Sequence, residues 1–290
     1  MSRTILVTGA TGYVGGVLLQ PLQDAGHTVR AMTRNPDGKD LPNPVKGDVS
    51  DADSLRDALD GVDVAYYLVH SMEGKDFAER DRRGARNFAT AAKAAGVERV
   101  IYLGGLGQNA ESEHLRSREE VAEILRAEGP RLVHVRAAMV IGEGSASFIM
   151  LAKLVERLPA MITPQWLNTR TQPVAIKDAV ETLAALATYE DPPEEVELGG
   201  ADVLTYKEML QTYAEIKGLR KRPIVTVPVL TPKLSSYWVT LVTPVDGALA
   251  RPLVEGLSAE MLVEHQPPAG LNDHPMGFEE AVRAALDRDR

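Results

Sequence analysis

Cysteine is missing from this sequence altogether. Disulfides, thiolate metal sites and cysteine nucleophiles are excluded together, and the redox compartment is left open. Also missing is any apolar stretch of the ~18 residues expected of a membrane span, so no integral membrane segment is predicted. The run Ile5-Leu6-Val7 enters a strand almost at once, leaving no room for a signal peptide, and the expected location is cytoplasmic. The six histidines form neither H-x-x-x-H nor H-E-x-x-H nor any compact cluster, so no metal site is expected. There is no G-x-S-x-G elbow of a hydrolase, and no G-K-[ST] follows a glycine turn as a P-loop requires. A basic excess is lacking too. Lys and Arg number 32 against 41 Asp and Glu, a net charge of −9, which argues against nucleic acid as a partner. A single phosphate is another matter, since one arginine can hold it.

What is present is concentrated at the start. Thr8-Gly9-Ala10-Thr11-Gly12-Tyr13-Val14-Gly15 follows the apolar run and leads straight into a helical pattern, Val17-Leu18-Leu19. The spacing is G-x-x-G-x-x-G, physically close to the dinucleotide fingerprint G-x-G-x-x-G. Gly9 permits a sharp turn after the strand, Gly12 clears the way for a pyrophosphate, and Gly15 lets the helix approach the sheet. N–H groups at the helix start (Gly12, Tyr13, Val14), together with the helix dipole, favour an anion. A dinucleotide is therefore the expected cofactor.

The next strand ends Thr33-Arg34, with no carboxylate before Asp37. NAD sites place an Asp or Glu about 20 residues past the glycines to bond the ribose 2′-hydroxyl. A guanidinium suits a 2′-phosphate instead, so NADP(H) is favoured over NAD(H). Val45 to Val49 reads as a third strand whose Asp48 is either a turn residue or an acceptor for the adenine amino group. Ser50-Asp51-Ala52-Asp53 resembles a capping box for a helix over 54–59. Asp63 to Val69 reads as a fourth strand, with His70 and Ser71 at its C-terminal edge, where ligands of such sheets lie. Helices over about 76–95 and 114–128 alternate with strands over 99–103 and 131–136. This specifies a doubly wound parallel α/β sheet of Rossmann type. Beyond Gly142 the alternation loosens and prolines multiply. The expected division is a dinucleotide-binding half, 1–142, and a smaller substrate lobe, 143–290, interleaved with it. Val174 to Val180 is expected to pack that lobe on the sheet. Leu234, Tyr237, Trp238, Leu241, Val242 and Val245 fall at helical spacing as a core or lid stripe, and 265–275 reads as loop.

The glycine turn, Arg34, Gly47-Asp48-Val49, Tyr66-Tyr67-Leu68-Val69-His70-Ser71-Met72 and Tyr102-Leu103-Gly104-Gly105 together resemble the atypical branch of the short-chain dehydrogenase/reductase superfamily. That group holds NmrA-like proteins and the accessory NADPH-binding subunit of respiratory complex I. The resemblance implies a Rossmann fold binding NADP through Gly9, Thr11, Gly12, Tyr13, Val14, Gly15, Arg34, Asp48, Val49, Leu68 and His70. It also implies a Ser after the fifth strand and a Tyr-x-x-x-Lys on the next helix, and here the sequence departs. Gly104-Gly105 stands in the serine's place, and His114-Leu115-Arg116-Ser117-Arg118 is the comparable helix segment. In one reading, His114 or His70 donates the proton, because imidazole titrates near working pH, and Arg118 replaces the lysine as ribose ligand. In the other, nothing replaces the acid, His114 faces solvent, Arg116, Arg118, Glu119, Glu120 and Glu123 make surface pairs, and NADPH is bound without turnover. The function expected first is NADPH-dependent reduction of a small apolar carbonyl, enone or quinone. A non-catalytic NADP(H) sensor or assembly factor is the alternative, and an epimerase or dehydratase a weaker third.

Overall fold

The computed structural model describes residues 2–37, 40–70, 76–107, 112–163, 165–226 and 259–287. Ser71, Met72 and the stripe from Leu234 to Val245 lie outside them.

The first half alternates strand and helix: β1 Thr4–Val7, α1 Tyr13–Asp24, β2 Thr28–Thr33, β3 Pro44–Lys46, α2 Ala52–Leu59, β4 Val64–Tyr67, α3 Phe77–Ala94, β5 Arg99–Gly105, α4 Glu113–Glu128 and β6 Arg131–Ala137. Two-residue β7, Val140–Ile141, leads into α5, Ala146–Arg157. After β8 (Met161–Thr163), β9 (Arg170–Thr171) and β10 (Val174–Ala175) come α6, Ile176–Leu186, and β11, Glu195–Leu198. The remainder is β12 (Leu204–Thr205), α7 (Tyr206–Ile216), β13 (Ile224–Thr226) and a closing helix, α8, Phe278–Asp287.

Strand period explains the two-sided sheet. In β1, Ile5 and Val7 join a core with Leu18, Leu19 and Leu22 of α1 and Val180 and Leu183 of α6. Between them Leu6 points the other way, into a core with Leu55 and Leu59 of α2, Phe88 of α3 and Val121 and Leu125 of α4. The same partition recurs in β5, where Ile101 and Leu103 face one core and Val100 and Tyr102 the other. Burying each such leucine or isoleucine is worth roughly 1.5–3 kcal/mol, and alternate residues serve two helical layers.

The seven strands run in the order β11-β6-β5-β4-β1-β2-β3, with every pairing parallel. From β1 the chain builds outward to β2 and β3, then returns to β4 and builds the other way. The order therefore reverses between β1 and β4, which opens a crevice beyond their C-terminal ends. Thr8, fully buried, ties its two rims together. Its hydroxyl donates to the Tyr66 carbonyl at 2.9 Å and accepts from the Leu68 N–H at 3.0 Å.

The later half contributes both to the sheet and to a lobe of its own. The stretch expected to pack on the sheet divides in two. Val174-Ala175 is β10, which pairs in parallel with β7, and Ile176 onward is α6, packed beside α1 in the sheet's own core. β11, which the sequence reading passed over, completes the sheet edge. α5, α7 and α8 form a separate apolar core through Phe148, Leu151, Tyr213 and Phe278. One capping expectation is corrected. α2 begins at Ala52, with Asp51 as its N-cap accepting from the Asp53 N–H, because Ser50 is occupied with Asp48. Among the described residues no helix is long and apolar enough to cross a membrane.

Candidate functional site

The crevice deepens into a cavity of about 530 Å³ lined by the glycine turn, the ends of β4 and β5, α4, and the start of α5. Gly9 has φ +65°, and a Cβ there would lie 2.6 Å from the Leu68 carbonyl oxygen. A Cβ on Gly15 would run into the Gly9 carbonyl. The turn is thus closed against β4 on one side and against its own helix on the other, which only glycine permits. One expected donor is corrected. The Gly12 N–H bonds the Gly9 carbonyl at 2.8 Å to close the turn, so Gly12 is the N-cap of α1 and not an anion donor. The first-turn N–H groups of Val14 and Gly15 follow it, and such groups have no acceptor within a helix.

Toward the other edge of the sheet, Asp48 follows β3, and its Oδ1 accepts from the Ser50 N–H at 2.8 Å and the Ser50 hydroxyl at 2.7 Å. Burial would raise this carboxyl, but the Ser50 bonds and the charges of Arg34 and Arg83 outweigh it and hold the group below its usual range. Arg34, exposed at the end of β2, therefore stands near enough to Asp48 for its charge to act on the carboxyl. Arg83 joins it from α3, which the sequence gave no reason to expect.

Over β5 the cavity holds a second, differently built cluster. Arg118 Nε donates to His114 Nε2 at 3.1 Å, and Arg118 Nη2 lies 3.0 Å from His70 Nε2. The helical spacing of four residues puts His114 and Arg118 on one face of α4, and β4 delivers His70 from the opposite rim. His114 is only 8% exposed, which overturns its reading as a solvent-facing residue, because this face of α4 packs over β5. Arg118 likewise makes no surface ion pair among the described residues. Glu120 pairs with Arg82 of α3 at 2.7 Å.

The protonation states follow from who donates. An arginine only donates, so both imidazoles present a bare Nε2 and carry their proton on Nδ1. Burial first, then the adjacent Arg118 charge, pushes His114 down to about 3, and the same two causes hold His70 well below its ordinary value. Neither ring is an imidazolium at neutral pH, against the expectation of an acid poised near working pH.

The missing serine has a steric reason. A Cβ on Gly104 would run into the His134 ring, which lies behind β5 stacked on Tyr102 at 5.2 Å between centroids. The opposite wall is apolar, with Met139 and Val140 from the segment after β6 and Ala146 and Met261 from the later half, and with Ser145, Ser147 and Tyr206 as its polar groups. Burial raises the Tyr206 phenol. None of these wall residues was singled out from the sequence; no local pattern marks them. Among the described residues no group of His, Asp and Glu could hold a metal ion.

Residues 9–141, beginning in the glycine turn, match a family described as NAD(P)H-binding. A 3β-hydroxysteroid dehydrogenase/Δ5→4-isomerase of Mycobacterium tuberculosis is 33% identical over 114 residues, 34% of this chain and 30% of that protein. The chain thus spans about a third of the length of that relative. An NADPH-dependent quinone oxidoreductase of Escherichia coli, solved with NADPH, superposes with a TM-score of 0.78 at 20% identity, covering 98% of this chain and 100% of that one. A triphenylmethane reductase of Citrobacter sp., solved with NADP(H), gives 0.76 at 20% identity with 98% and 100% covered. At these identities the likeness to solved structures is one of fold.

Proposed function

We propose that this protein is an NADPH-dependent reductase of a small apolar carbonyl, enone or quinone. The observation that carries the reading is that one cavity joins the glycine turn to an apolar wall of Met139, Val140, Ala146 and Met261, with Arg118 also lining it. The cradle fits a dinucleotide: Cβ atoms at Gly9 and Gly15 would strike the Leu68 and Gly9 carbonyls, so only glycine lets the turn close tightly enough to present its main chain to a pyrophosphate. In this reading Gly9, Thr11, Tyr13, Val14 and Gly15 hold the pyrophosphate, and Gly12 shapes the turn. Arg34 takes the 2′-phosphate through charge-assisted bonds. Asp48, with Oδ1 committed to Ser50, offers Oδ2 to the adenine amino group beside Val49, and Leu68 and His70 flank the ribose nearest the chemistry. Bound there, the reduced nicotinamide supplies hydride. The protein's part is to hold the acceptor against it, exclude water with Met139, Val140 and Met261, and stabilise charge as it develops. Residues 143–290 would carry acceptor specificity.

A second reading, an NADP(H)-binding sensor without turnover, is favoured by one observation, the two neutral imidazoles where an acid was expected. Purified protein titrated with NADPH and NADH by fluorescence, then assayed for NADPH oxidation against quinones, enones and aldehydes, separates the two. Saturable turnover supports the reductase. Tight binding with no turnover across the panel supports the sensor, and failure to bind either dinucleotide overturns both.

A further inference from the structure

Arg118 is a half-buried cation with no ion-paired carboxylate among the described residues; of these carboxylates only the buried Asp81 acts on it, through space. Its two bonded neighbours, His70 and His114, are neutral acceptors. The buried Asp81 nearby is engaged by the Ser117 hydroxyl at 3.3 Å. Arginines are seldom buried unless paired, and a guanidinium has five N–H donors. Here the edge formed by Nε and Nη2 is occupied by two imidazoles, which fix the plane of the group, while the residue lines the cavity. A positive charge, pre-aimed and offset only through space by Asp81, lines the cavity assigned above to the acceptor.

We infer that Arg118 is an oxyanion-binding residue, aimed by His70 and His114, that receives the acceptor's oxygen as it gains negative charge and so selects acceptors whose reduced form is a delocalised oxyanion. The inference rests on the reductase reading above. Addition of one hydride, taken from the reduced dinucleotide, forms a C–H bond at the β carbon of an enone or an O–H bond at one carbonyl of a quinone. The displaced π pairs come to rest on the conjugated carbonyl oxygen as an enolate or a phenolate. The dinucleotide is oxidised by two electrons, the acceptor is reduced by two, and water supplies the last proton after release. A simple ketone would instead yield a localised alkoxide, a far stronger base that must be protonated in place. His70, His114 and Tyr206 are poor acids in this setting, so quinones and enones are the favoured class. His70 and His114 are positioning residues, and Arg118 is the group that touches the reacting oxygen.

The test uses 4-nitrophenol, whose phenolate absorbs visibly, titrated across pH into the full-length protein with and without NADP⁺. The bound probe is expected to ionise at a pH lower than the free probe by about one unit, a tenfold preference for phenolate. Arg118→Gln is expected to abolish that shift while leaving NADPH affinity within about threefold, well under the tenfold that 1.4 kcal/mol represents. Arg118→Lys, which keeps the charge but not the fork, covers the case in which the glutamine variant does not fold, and should retain part of the shift. A bound probe that ionises as in water overturns the inference. So does an Arg118→Gln protein that folds but loses NADPH, since Arg118 would then be a cofactor ligand. A shifted probe on protein that binds no dinucleotide supports the oxyanion site and overturns the reductase reading instead.

Discussion

The glycine turn after β1 and the Arg118 cluster over β5 line one cavity but are made of different materials. At the turn, what faces the ligand is main chain, and the side chains matter by being absent. Its parts are neighbours in sequence, and the shape is set by φ and by two near-contacts, Gly9 with Leu68 and Gly15 with Gly9. At the cluster, what faces the cavity is charge, and its arrangement exists only because β4 and α4 bring His70 within 3.0 Å of Arg118, 48 residues away. A site formed by backbone conformation can be written into a short local pattern. A site formed by side chains from separate elements is written into the packing that brings them together.

The largest effect should come from spoiling the turn. Gly15→Val places a branched side chain where the Gly9 carbonyl stands, so NADPH binding is expected to fall below detection, with overpacking costing roughly 1–3 kcal/mol in stability besides. Gly12→Ala should be far milder, because its Cβ would sit 3.2 Å from the Gly9 oxygen. Fluorescence titration and thermal melts check both, and retained binding in the valine variant would separate the turn from the cofactor. Next in size is Arg34→Glu, which should reduce the preference for NADPH over NADH by about 10- to 100-fold, the worth of one to two charge-assisted bonds. A preference that does not move would remove Arg34 from the 2′-phosphate.

The smallest effect is confined to the cluster side. Burial first, then neighbouring arginines, holds His134 at about 3, as burial and Arg118 hold His114. Between the ordinary value of 6.5 and about 3, the unfolded chain binds protons that these folded imidazoles refuse. Stability is therefore complete above pH 6.5 and declines as pH falls through that window. His134→Phe, which preserves the stack on Tyr102, should flatten the decline in melts between pH 7 and pH 5. An unchanged slope would mean that His134 is already protonated in the folded chain.

Much of this was legible in the sequence, and where it was not there is a physical reason. Gly9, Gly15, Arg34 and the alternation of Ile5, Leu6 and Val7 sit in short patterns whose meaning does not depend on distant residues. The assignment of Gly12 as a donor failed on a single main-chain bond that no composition reveals. His114 read as solvent-facing because Glu113 and Arg116 surround it in sequence, whereas its helix face is decided by β5. Arg83 was invisible for the same reason. β11 left a usable signal: Glu195-Val196-Glu197-Leu198 alternates between Pro192-Pro193 and Gly199-Gly200, but its strand partner, β6, lies before the whole intervening lobe. Gly104 pointed to a missing serine, while the ring that fills its place belongs to His134, a strand away.

The pairing of β7 with β10 sets Ile141 beside Ala175, so residues 142–173 leave the core and rejoin it at one point. Closing a longer excursion adds only about 0.6 kcal/mol for each doubling of its length. That excursion carries Gly144, Ser145, Ala146 and Ser147 of the cavity wall, while the glycine turn, His70 and Arg118 all lie outside it. Descent can therefore rewrite this part of the chamber wall, while the glycine turn, His70, Arg118 and the wall residues Met139, Val140, Tyr206 and Met261 stay in place.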